Sequence, residues 1–366
     1  MLDGGDRMLD TRTAAVGEPG TGAPATVGGV TRLVLIHGRD SGDVDADAVE
    51  QRWLDALDAG LDAIGSDLRL TDDDATFVHY GAMLDAASDD LPLPPVTTHA
   101  VARPDGYLPL PPVTTHAVAR PDGYLPLLAG LDVDRLRFTL DVSREVLAAY
   151  GSAPADPPTQ DVAAAETVAS EGLVGDALAR TLAAALATVD RLVPGLSGAV
   201  VLLLTHDVYT YLHDAEARAA VDAGVLAALP VDEPAVIVAH SLGAVVAYQV
   251  LRSAAAAGRD VPLLVSLGAP LAIRAVQDAV AALAPPGWPE PVDRWVAVRD
   301  PRDLLTLHDL TPETFPLDPP GPGVENQHVR NEALLRHAAA TVRDGRPAGY
   351  AATPEVAALL SGVLGR

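Results

Sequence analysis

The chain contains no cysteine. Disulfides, thiolate nucleophiles and thiolate metal ligands are therefore excluded together. Lysine is absent as well, so all 25 basic residues are arginine, against 50 acidic ones. The resulting net charge of −25 argues against a nucleic acid or an anionic membrane surface as partner. Long apolar runs are also missing. The longest, Ala199 to Leu204, is far too short to span a bilayer, so no integral membrane segment is expected. Met1 to Asp10 is acidic and has no apolar centre, which leaves no visible secretory signal and makes a cytoplasmic protein the expectation.

What remains is the composition of a globular chain: 366 residues, 49% hydrophobic and 20% charged. Residues 1–29 are rich in Gly, Ala, Thr and Pro without periodicity and read as a disordered leader. Residues 30–366 read as a single domain. Within it, residues 86–195 form an insertion that either caps a site or completes an outer helical layer. That insertion contains a tandem duplication. Leu91 to Tyr107 is repeated without change as Leu108 to Tyr124. Two proline-rich copies cannot build a solenoid, so the repeat is expected in a surface loop. His99 and His116 hold equivalent places in the copies, so neither is a site residue.

Short apolar segments alternate with helical ones along the rest of the chain. Arg32 to Ile36, Thr76 to Tyr80, Val236 to Ala239, Leu263 to Leu267 and Arg294 to Val298 read as strands. Val49, Trp53, Leu57 and Leu61 recur every four residues as the stripe of a helix. Leu131 to Tyr150, Asp161 to Leu192, Ala215 to Leu229 and Glu332 to Val342 also read as helical, while Gly321 to Glu325 reads as loop. Ala199 to Leu204 fits either a buried strand or a helix that continues through Leu212. Thr353-Pro354-Glu355 is a strong helix start. Such alternation predicts an α/β fold whose mostly parallel sheet is covered by helices on both faces.

One stretch carries chemistry. Val236 to Ala239 is a strand, Ala244 to Ala257 is helical, and Ser241 stands at the apex between them. A strand that becomes a helix within three residues, with a Ser at the bend, has the pattern of a nucleophile elbow. The residues two before and two after, Ala239 and Gly243, are small as such a turn requires. The bland alternative is a Ser that N-caps an ordinary βα turn. A backbone N–H at the helix start, from Leu242, can hold a developing oxyanion. A second donor is expected from Arg39, after the His37-Gly38 that ends the first strand.

A Ser hydroxyl needs an imidazole to take its proton and a carboxylate to orient that imidazole. In this architecture acid and base follow the Ser in the chain. His308, His328 and His337 are the three His residues that follow. His337 is the first choice for the base, with His328 as alternate. His308 lies too near the acid to have crossed to another loop. Asp303, just before Leu304 and Leu305, is the first choice for the acid, with Asp300 as alternate.

These residues together resemble the α/β-hydrolases of the lipase and esterase type. The likeness lies in Ile36-His37-Gly38-Arg39, Ala239-His240-Ser241-Leu242-Gly243, Gly268-Ala269-Pro270-Leu271, Asp300-Pro301-Arg302-Asp303, Val329-Arg330-Asn331 with His337, and Tyr350 to Val356. It covers roughly residues 30–85 and 205–366. Two departures stand out. Ala239 replaces the commoner Gly, and Thr341 to Pro347 reads as an insertion between His337 and Tyr350. The resemblance implies a serine hydrolase that cleaves carboxylic esters through an acyl-enzyme, with a small acyl ester as substrate and no metal or organic cofactor. The same elbow also serves serine peptidases and thioesterases, and a non-catalytic relative would bind an acyl ligand or a partner through the intact fold. No feature of the sequence sets the oligomeric state.

Overall fold

The strands β1 (Arg32–Ile36), β2 (Ala75–Val78), β3 (Ala235–His240), β4 (Leu263–Leu267), β5 (Trp295–Arg299) and β6 (Glu325–His328) form one sheet in the order β2-β1-β3-β4-β5-β6, with every pairing parallel. The computed structural model describes residues 31–38, 45–71, 73–81, 84, 120–151, 171–193, 196–333 and 336–365. β3 and β4 are buried along their whole length, as fits Val, Leu and Ile runs covered on both faces.

Successive residues point to opposite sides of the sheet and enter two separate cores. Leu33, Leu35, Val236 and Val238 face α1 (Ala46–Ala63) and the last helix, α9 (Pro354–Leu364). Val34, Ile36, Ile237 and Ala239 face the other side. There lie α2 (Pro121–Leu128), α3 (Val133–Ala149), α4 (Glu171–Leu192), α5 (Gly198–His213), α6 (Ala215–Ala228), α7 (Leu242–Arg252) and α8 (Arg274–Leu283). The expected α/β class with helices on both faces of a parallel sheet is therefore what the chain forms. In α1 the stripe Val49, Trp53, Leu57 and Leu61 is buried, and the Asp45 carboxylate accepts the Asp47 N–H at the helix start.

Among the described residues, five helices, α2 to α6, lie between β2 and β3. Asp190 ties three of them together. Its carboxylate accepts the Tyr124 hydroxyl at 2.6 Å and the Gly198 N–H at 3.0 Å. Ala199 to Leu204 is helix, not strand. Ser197 accepts the Ala199 N–H as its cap. The apolar run is continuous because α5 packs on several neighbours at once.

Several expectations need correction. The tandem repeat does not end in a surface loop: Pro121 to Tyr124 open α2, and Tyr124 is fully buried. Its apolar ring and its bond to Asp190 draw it inward. Residues 91–119 of the repeat, with His99 and His116, lie outside the described residues, as do residues 1–29. Glu332 to Val342 is not a helix. Asn331 takes the Ala333 N–H on its side-chain oxygen and gives its amide to the Ala338 carbonyl, and Arg336 has φ 61°. These tertiary bonds override helix propensity. The chain then forms a hairpin of β7 (Thr341–Arg343) and β8 (Arg346–Ala348), which coincides with the stretch read as an insertion. Gly321 to Glu325 runs into β6, whose sequence Glu-Asn-Gln-His gives no apolar signal because it is an exposed edge strand. The helix after Ser241 ends at Arg252 rather than continuing to Ala257.

Candidate active site

β3 delivers Ser241 to the carboxyl edge of the sheet and α7 begins at the next residue. Ser241 has φ 52° and ψ −120°, a region that residues with a Cβ occupy only when the surroundings force it. Two glycines permit the bend. A Cβ on Gly243 would lie 2.2 Å from the His37 carbonyl oxygen, so α7 can press onto the end of β1 only with glycine there. A Cβ on Gly38 would lie 2.7 Å from His240 Nδ1 and 3.0 Å from the Ser241 Cβ.

The Ser241 Oγ stands 2.9 Å from His337 Nε2, and His337 Nδ1 stands 2.8 Å from Asp303 Oδ2. A carboxylate oxygen can only accept, so Nδ1 carries the proton and the Nε2 lone pair faces the Ser hydroxyl. All three side chains are buried, Asp303 completely. They come from three loops: the end of β3, the turn after β5, and the loop between β6 and β7. Asp303 Oδ1 accepts the Leu305 N–H at 3.0 Å. Its Oδ2 accepts the Tyr350 hydroxyl at 2.7 Å. Burial and the nearby Asp303 charge push the Tyr350 pKa well above the usual phenol value, so this hydroxyl stays a donor.

Two further histidines hold the frame. His240 is buried behind Ser241, and its Nε2–H donates to the His337 carbonyl at 2.6 Å. Burial and the neighbouring His337 ring keep its pKa well below the usual imidazole value. His37 accepts the Tyr80 N–H on Nε2 at 3.1 Å and donates from Nδ1 to the Gly38 carbonyl at 2.8 Å. Burial, with a contribution from His79, brings its pKa down to about 3. Both rings are therefore neutral and fixed in one tautomer at pH 7.

The alternates do other things. Asp300 does not touch His337. It accepts the Arg302 guanidinium, and its Oδ2 accepts the Asn331 N–H at 2.8 Å, so it joins the loop of Asp303 to the loop that carries Asn331 and His337. Burial alone would raise its pKa, but the bonds from Arg302 and Asn331 outweigh burial and hold it below the usual carboxylate range. His328 lies on β6 with Nε2 at 2.8 Å from Asp309 Oδ1, away from the Ser. His308 reaches back to Glu145 of α3 at 3.0 Å. The Leu242 N–H opens α7, where the first N–H groups of a helix have no acceptor within it. Arg39 lies outside the described residues.

Sequence reasoning gave no role to Tyr350 or His240. Both contacts join residues distant in sequence, and no spacing rule announces them. A narrow cavity of about 30 Å³ opens beside Ser241 and His337. Its far walls come from α3, α5 and α8, and thus partly from the segment between β2 and β3. Among the described residues no three His, Cys, Asp or Glu side chains gather as a cation site. No helix among them is long and apolar enough to cross a membrane.

Comparison of the chain with protein-family models, with curated proteins and with solved structures returned no match.

Proposed function

We propose that the protein is a serine hydrolase of the α/β-hydrolase type. Within that class, we read it as a carboxylic esterase that works through an acyl-enzyme. The reading rests on one observation: a strained elbow Ser whose Oγ is 2.9 Å from an imidazole that a buried carboxylate orients. An imidazole at this distance speaks against the non-catalytic alternative, which has no use for a base aimed at the hydroxyl.

The Ser241 Oγ attacks the ester carbonyl carbon while His337 Nε2 takes its proton. The oxyanion is met by the Leu242 N–H, worth about 3 kcal/mol in the transition state, and the sequence resemblance implies a second donor at Arg39. The bond to the alkoxy oxygen then breaks, and that oxygen leaves as an alcohol with the proton from His337. Water attacks the acyl-enzyme through the same imidazole, which frees a carboxylic acid and restores the Ser. Asp303 fixes the tautomer throughout and Tyr350 fixes Asp303. No step requires a metal or an organic cofactor.

The test is turnover of p-nitrophenyl butyrate by the purified protein. We expect hydrolysis that falls about 10³-fold or more in Ser241→Ala and in His337→Ala, provided both variants melt like the parent. Equal hydrolysis by parent and Ser241→Ala would refute the reading.

A further inference from the structure

The cavity beside Ser241 has walls of one kind. Phe138 and Val142 of α3, Val201 and Val208 of α5, and Ile273 and Leu305 close it opposite the hydroxyl. Among the described residues, the only polar wall group from the inserted helices is Thr205. Its hydroxyl donates within α5 to the Val201 carbonyl at 2.8 Å and has no hydrogen left for a ligand. An anionic acyl group, which can only accept, would thus lose its water and gain no donor from these helices.

Size sets a second limit. Pockets that hold drug-sized ligands commonly run to about 300–1,000 Å³. The cavity, at about 30 Å³, is far smaller. The walls are themselves buried: Phe138 is 8% exposed, Val208 6% and Ile273 3%. A longer chain therefore has to displace packed helix side chains.

Building on the esterase reading, we propose that this cavity is the acyl pocket and that it selects short, unbranched, uncharged acyl groups. The inserted helices set the chain length. Leu204 on α5 is the residue to change, because it lines the cavity yet is only partly buried and its truncation leaves the core intact.

The experiment measures kcat/KM for p-nitrophenyl acetate, butyrate, octanoate and hemisuccinate, with labelling of Ser241 by a small alkyl fluorophosphonate on the same preparation. We expect butyrate to exceed octanoate by tenfold or more, and hemisuccinate to trail butyrate by at least as much. Leu204→Ala should raise the octanoate-to-butyrate ratio several-fold. Because this is a ratio, loss of some folded protein does not change it. Labelling with an octanoate or hemisuccinate rate equal to that of butyrate would overturn the pocket assignment and leave the esterase reading standing. Absence of both labelling and hydrolysis would overturn the two together.

Discussion

Replacing Tyr350 by Phe removes one oxygen from the interior and tests how the acid is held. That hydroxyl donates to Asp303 Oδ2 at 2.7 Å and accepts the Asp300 N–H at 3.0 Å. A hydrogen bond to a charged group contributes about 1.5–3 kcal/mol, and a buried N–H left without an acceptor costs about 1–3 kcal/mol. The expected loss of stability is about 3 kcal/mol, or a fall in Tm of about 4 °C. Activity should suffer less. Asp303 keeps the His337 Nδ1–H and the Leu305 N–H, so the base remains oriented, only less firmly. We expect kcat to fall about tenfold, equivalent to ~1.4 kcal/mol, with KM unchanged. The assay is a double-mutant cycle on p-nitrophenyl butyrate hydrolysis. Asp303→Asn alone should lower kcat far more, by about 10⁴-fold. Adding Tyr350→Phe to it should change kcat little, because the carboxylate through which the phenol acts is already gone. An equal tenfold loss in both backgrounds would refute a role through Asp303.

Three other outcomes follow from the same geometry. His37 and His240 are neutral in the fold, with His37 brought down to about 3, whereas unfolded imidazoles titrate near 6.5. The unfolded chain then binds protons that the native one refuses, so stability falls as pH drops below about 6.5, by about 2 kcal/mol for His37 at pH 5, and urea midpoints for the parent and His37→Gln should show a shallower slope in the variant. Gly243→Ala would drive a Cβ to 2.2 Å from the His37 carbonyl oxygen, and we expect it to lower Tm by more than 10 °C or to prevent folding, as circular dichroism would detect. Deleting Leu91 to Tyr107 leaves an identical copy ahead of α2 and retains Tyr124, so Tm and esterase activity should stay within a few degrees and twofold of the parent.

What was legible in the sequence was whatever depends on neighbours along the chain. The parallel strands announce themselves as short apolar runs, and the elbow as a strand, a Ser, a small residue and a helix. Chain order then narrowed the partners of Ser241 to a few Asp and His residues, and the structure brings His337 into hydrogen-bond reach of both Asp303 and Ser241. The loop that carries His337 misled, because alanine and leucine in Glu332 to Val342 favour a helix that the Asn331 side chain and the Arg336 backbone prevent. β6 was invisible because an exposed edge strand needs no apolar face. Tyr350 and His240 act across 47 and 97 residues of chain, beyond the reach of any local pattern. The cavity walls are ordinary helix-stripe residues, and only the fold brings them together beside Ser241.

The central claim concerns one oxygen, and a fluorophosphonate reads its reactivity without any assumption about the natural substrate. Intact-mass and peptide mass spectrometry after brief exposure at pH 7.5 should find a single adduct, carried by Ser241, that is absent from Ser241→Ala and forms far more slowly in His337→Ala. A parent protein left unmodified, or an adduct that persists in Ser241→Ala, would contradict the account.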